Sequence, residues 1–156
     1  MTGFNTDEIF ELAEQLERNG SAFYREAAAY ADGRVEELLL RLAAMEDEHE
    51  QVCRRLRQAH AGKAGVTDPE GLGAHYLHNL MRGQVFDDTG AYRVAGSESL
   101  AELLDRAIDF EKEAIIFFTS MRRAVSWEKA RDALDRLIGE ELGHMVDLQE
   151  QKSRLA

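Results

Sequence analysis

Apolar residues recur along this chain in alternating steps of three and four, the spacing of one helix face. Four long stretches carry such a seam. The first runs Phe10, Ala13, Glu17, Gly20, Tyr24, Ala27 and Ala31; the second runs Val35, Leu38, Leu42, Glu46, His49, Cys53 and Leu56. The third runs Leu100, Leu104, Ala107, Glu111, Ala114, Phe118, Met121 and Val125; the fourth runs Trp127, Ala130, Leu134, Leu137, Glu141, His144, Leu148 and Gln151. No segment alternates as a strand would. Turn residues cluster at 31–33, 62–65, 84–97 and 125–126, and start signals stand beside them: Thr6, Asp68 before Pro69, Ser97 and Ser126. The pattern predicts long helices over about 7–31, 34–61, 98–125 and 127–153, with a shorter one over about 69–82. Short links after the first and third long helices predict antiparallel hairpins. The long middle segment, with its short extra helix, predicts a crossover. This is the all-α, ferritin-like four-helix bundle connectivity, expected as one domain over 1–156.

Each seam is interrupted near its middle by a glutamate, and two by a histidine three residues later. Pattern alone places Glu17, Glu46, His49, Glu111, Glu141 and His144 on buried faces. An unpaired buried carboxylate costs several kcal/mol, and converging carboxylates raise one another's pKa. No Lys or Arg stands at the middle of these seams, so the missing positive charge is read as a bound cation.

The two halves of the chain repeat. Glu17 through Phe23-Tyr24 aligns with Glu111 through Phe117-Phe118, and Arg41-Leu42 through Glu46-x-x-His49 aligns with Arg136-Leu137 through Glu141-x-x-His144. Two helical hairpins about a pseudo-twofold would bring equivalent residues face to face. A lone Glu-x-x-His is weak evidence; a duplicated one, each with a seam glutamate on the preceding helix, is strong. Glu-x-x-His sets both side chains on one face about a turn apart. Four carboxylates and two neutral imidazoles suit a pair of divalent first-row metals: two Fe ions by chemistry, with Zn or Mn as possible substitutes.

Composition narrows the alternatives. The chain has 156 residues, a formal charge of -11, one proline and a single cysteine, Cys53. One cysteine excludes an internal disulfide and a four-cysteine metal site within the chain. So acidic a chain is a poor partner for nucleic acid or for an anionic membrane. No apolar run approaches the roughly 20 residues that span a bilayer, and the N-terminus lacks the marks of a signal peptide. A cytoplasmic protein is expected.

On Glu17, Glu46-x-x-His49, Glu111 and Glu141-x-x-His144, the sequence resembles the rubrerythrin-type di-iron domain of the ferritin-like superfamily, over most of its length. The resemblance implies that Glu46 and Glu141 bridge two irons, that Glu17 and Glu111 are terminal ligands, and that His49 and His144 hold one iron each. Tyr24 resembles the tyrosine that hydrogen-bonds a ligand carboxylate, a part its counterpart Phe118 cannot play. The implied activity is reduction of hydrogen peroxide or dioxygen. No rubredoxin-like Cys-x-x-Cys is present, so an external electron donor is required. The glutamate that rubrerythrins carry three residues after the third-helix ligand is here Ala114. Glu14, a turn before Glu17, lies at the seam's edge as a weak candidate for an extra carboxylate.

A homodimer is expected, with the extra helix (Tyr76, Leu77, Leu80, Met81) either packing on the bundle or joining the dimer contact. Two other functions stay open: ferroxidase and iron storage in a cage, as in bacterioferritins, and a metal-binding bundle without redox activity. Glu48, Glu50, Glu113 and Glu140 read as solvated helix charges, and His75-x-x-His78 as an ordinary surface pair. His60 reads as a helix-dipole partner, and Cys53 as a buried inert thiol.

Overall fold

The computed structural model describes residues 6–63, 71–82 and 93–155, and over these the chain is all-helical. Its elements are α1 (Thr6–Ala28), α2 (Gly33–His60), α3 (Leu72–Arg82), α4 (Leu100–Ala124) and α5 (Glu128–Ser153). α1 and α2 pack as one hairpin, and α4 and α5 as a second. α1 meets α4, α2 meets α5, and α3 lies on α4. The connectivity is that of a ferritin-like bundle.

Several boundaries differ from the sequence reading for identifiable reasons. α1 already includes Thr6 and stops at Ala28, short of 31. Ala29, Tyr30 and Ala31 each donate to the carbonyl three residues back, which tightens the last turn. The chain then reverses through Asp32 into Gly33 at φ 52°, a left-handed conformation that glycine adopts without penalty. α4 opens at Leu100 with Ser99 as its cap. The Ser99 hydroxyl accepts from the Glu102 N–H and the Glu102 carboxylate accepts from the Ser99 N–H, a full capping box. Trp127, not Ser126, occupies the N-cap position of α5, and its side chain makes no capping hydrogen bond. Asp68 and Pro69 lie outside the described residues, as do the side chains of His78, Leu80 and Met81.

The interior is built as two apolar clusters. One gathers Ile9, Phe10, Ala13, Leu16, Cys53, Leu77, Phe110, Phe117, Phe118, Met121 and Leu134 at one end of the bundle. The other gathers Phe23, Tyr24, Ala27, Leu38, Leu39, Leu42, Leu103, Leu104 and Leu148 toward the opposite end. Along every long helix the seam glutamate falls near the junction of the two. Leu77 of α3 is fully buried and Tyr76 packs beside it, so the extra helix covers the bundle. His60 donates from Nδ1 to the Leu56 carbonyl and stacks on Trp127, with ring centroids 4.0 Å apart. Cys53 is buried, and burial pushes its thiol well up, which keeps it unreactive. No helix among the described residues is long and apolar enough to cross a membrane.

Candidate metal centre

The helices bring the six interrupting side chains into one layer. α1 supplies Glu17, α2 supplies Glu46 and His49, α4 supplies Glu111, and α5 supplies Glu141 and His144. The four glutamates are 0% exposed and the two histidines 2%. His49 Nδ1 lies 3.0 Å from Glu141 Oε1, 3.4 Å from Glu17 Oε2 and 3.8 Å from Glu46 Oε2. His144 Nδ1 lies 3.0 Å from Glu141 Oε2, 3.2 Å from Glu46 Oε1 and 3.4 Å from Glu111 Oε1. The imidazoles, one from each hairpin, stack 5.4 Å apart and 9° from parallel.

Two donor sets result, Glu17, Glu46, His49 and Glu141, and Glu46, Glu111, Glu141 and His144. Within each, one ligand atom per residue lies within 4.8 Å of the others. Glu46 and Glu141 belong to both. Whether these residues fit a cation can be judged from their unmet valences. Both oxygens of Glu17 and Glu46, Oε2 of Glu111 and of Glu141, and both nitrogens of His144 are buried without an aligned hydrogen bond. So many orphaned acceptors in one buried layer are foreign to a settled core. Oxygen and imidazole donors in this number match divalent first-row metals.

Electrostatics follows from the packing. Burial, then the Glu46 and Glu141 carboxylates, pushes Glu17 well above the usual carboxylate range. Burial likewise raises Glu111, with Glu141 and Glu46 adding to it against the opposing pull of His144. For Glu46 burial is outweighed by the close approach of Glu17 and both imidazoles, which hold its carboxyl down at about 2. Glu141 is also held low, the two histidines overcoming burial and the nearby Glu46. Burial disfavours the charge on His144, yet Glu111, Glu141 and Glu46 raise it to about 11, and His49 is raised by Glu141, Glu17 and Glu46.

Around this layer stand the outer contacts. The Tyr24 hydroxyl donates across the bundle to Glu111 Oε1. His49 Nε2 lies 2.6 Å from Glu140 Oε2, on the side away from the carboxylates. Glu140 is not a solvated bystander, contrary to the sequence reading. Its seam position looks outward, and only the packing of α5 against α2 shows what it touches. Glu14 is buried, but it turns to arginines: Arg57 Nε at 2.8 Å, Arg54 Nε at 3.6 Å and Arg18 Nη1 at 3.8 Å. Glu50 is bound by Arg18 at 2.9 Å and Arg54 at 2.6 Å, so it too is a paired buried group and not a solvated one. Ala114 is buried in the apolar cluster and offers no donor. His75 is exposed and outside the layer.

No curated protein matches the chain. Among solved structures, a protein of Thermotoga maritima described as ferritin-like and diiron-carboxylate matches with a TM-score of 0.72 at 23% identity. The match covers 100% of this chain and 99% of that one, and shows a shared fold. A family model described as Rubrerythrin matches residues 8–152. The chain belongs to the rubrerythrin family.

Proposed function

We propose that this chain binds two iron ions between Glu17, Glu46, His49, Glu111, Glu141 and His144. It then reduces hydrogen peroxide or dioxygen with electrons from an external donor. The observation that carries the reading is the pair of overlapping donor sets in which both oxygens of Glu17 and Glu46, one oxygen each of Glu111 and Glu141, and both nitrogens of His144 are buried without an aligned partner. The shared residues Glu46 and Glu141 would serve both ions. Glu17 with His49 and Glu111 with His144 would close the two ends. When bound, two ferrous ions supply both electrons for peroxide at one place, so no hydroxyl radical need be released. The chain's part is to hold the donors in place and keep the layer dry. Apolar clusters at either end restrict water, and the Tyr24 hydroxyl fixes the Glu111 carboxylate. Alanine at 114 supplies no carboxylate for a redox-linked exchange of ligands at that position, so the donor set is expected to stay the same in both redox states.

Anaerobic Fe(II) titration followed by peroxide tests the reading. Two irons per chain, a visible absorption band on oxidation and consumption of peroxide are expected. Glu46→Ala together with Glu141→Ala should abolish binding of both ions, and retention of two irons in that variant refutes the ligand assignment. Size-exclusion chromatography separates the enzyme from a storage cage, since a dimer fits the former and a mass of many subunits the latter.

A further inference from the structure

The repeat that makes the two halves of the layer alike breaks down in the shell around it. His49 has its outer nitrogen on a carboxylate, with Nε2 2.6 Å from Glu140 Oε2. Its counterpart His144 has no aligned partner for Nε2 among the described residues. The repeat explains the difference. Glu140 precedes Glu141, and the residue preceding Glu46 is Met45, which has no carboxylate. The glutamate ends differ in the opposite sense. Glu111 receives the Tyr24 hydroxyl, whereas both oxygens of Glu17 lack a donor, the residue equivalent to Tyr24 being Phe118.

We propose that Glu140 is a positioning residue for His49, and that it makes the Glu17–His49 half of the site the first and tighter of the two to take a divalent ion. This rests on the proposed metal-binding reading. A carboxylate can only accept at Nε2, so that nitrogen keeps its proton and Nδ1, the nitrogen that faces the layer, is the one left to bind an ion. The contact also fixes the ring plane before an ion arrives and makes the imidazole a stronger donor. His144 has neither aid. At the other end the Tyr24 hydroxyl fixes the Glu111 carboxylate but lowers that oxygen's donor strength, whereas Glu140 both fixes His49 and raises its donor strength. Glu140 has a side chain 50% exposed and is not among the six donors, so it can be changed without opening the core.

Titration with Co(II), read by its visible ligand-field absorption, tests this without reference to activity. The wild-type chain should bind two ions in two resolved steps. Glu140→Ala should weaken the first step about 10–100-fold, the usual effect of losing such an outer partner, and leave the total at two. Glu140→Gln, whose amide oxygen still accepts from Nε2–H, should recover most of the loss, which a general structural effect would not do. Met45→Glu, placing an acid at the equivalent position, should tighten the second step. Two equal steps in the wild type, or a first step unmoved by Glu140→Ala, overturn the proposal and leave metal binding standing. Failure of the wild-type chain to bind two ions at all overturns the underlying reading instead.

Discussion

Replacing Glu17 by glutamine keeps the shape of a fully buried side chain and removes its ability to ionise. Both Glu17 oxygens are buried without an aligned hydrogen bond, and its carboxyl is driven up by burial and by Glu46 and Glu141. In a chelated protein that carboxyl therefore works against folding. A carboxyl whose pKa is higher in the folded than in the unfolded chain disfavours folding at neutral pH; glutamine does not titrate and escapes that penalty, so Glu17→Gln should stabilise the chelated protein by about 1–3 kcal/mol, the scale of a buried polar group's desolvation cost. For a chain of this size each kcal/mol moves the melting temperature by roughly 2–4 °C, which predicts a gain of roughly 2–12 °C. With metal the sign should reverse. Free ion at about 100 times its Kd stabilises the folded state by about 2.7 kcal/mol per site, and a glutamine is a far poorer ligand than a carboxylate. The assay is thermal unfolding followed by circular dichroism, wild type against variant, first with EDTA and then with Co(II) or anaerobic Fe(II). A variant that melts lower than wild type in EDTA, or by the same margin in both conditions, refutes the reasoning.

Three further outcomes follow from local packing. Gly20→Ala would place a methyl 2.7 Å from Phe110 Cε1 and Cζ and 3.4 Å from Glu46 Cγ. Overpacking of about 1–3 kcal/mol should exceed the helix-propensity gain of about 1 kcal/mol, giving a lower urea midpoint and not the usual gain. Tyr24→Phe removes the donor to buried Glu111 Oε1 and should cost about 1–3 kcal/mol in urea unfolding. Ser99→Ala breaks the α4 capping box and should cost about 1 kcal/mol with an unchanged m value.

The layer of acids was legible because a buried carboxylate violates the seam it sits in, and because the violation occurs twice in the same register. Glu17, Glu46, Glu111 and Glu141 each break a run of apolar steps, and no periodicity argument can place them outside without moving their neighbours too. Glu140 was not legible by the same logic. Its position is outward on α5, and its role depends on which residue of α2 comes opposite, a fact of packing that spacing on one helix does not contain. Glu14 and Glu50 were missed for a related reason, since the arginines that satisfy them come partly from the neighbouring helix. Of the helix starts, that of α4 could have been read more closely. Ser99 has Glu102 three residues on, whereas Ser97 has Leu100, so the capping-box pattern favours the later serine. The early end of α1 had a weaker signal, because Ala29 and Ala31 favour helix and only the reversal at Gly33 decides against it.

A layer holding four acids must be tolerable before any ion reaches it, or the bundle could not fold to receive one. The arrangement of charges meets that condition. Glu46 and Glu141 are held ionised between two imidazoles whose charged forms they favour, while Glu17 and Glu111 are driven toward their neutral forms. Two negative and two positive groups leave the layer near neutrality. Two divalent cations among four carboxylates and two uncharged imidazoles come to the same balance. Protons and metal ions are thus alternative counter-charges for one frame, and apolar packing at both ends of the layer can be the same in either state. The two hairpins contribute almost equally to this balance. What distinguishes one half from the other lies a shell further out, in Glu140 and Tyr24, neither of which adds a carboxylate to the layer itself.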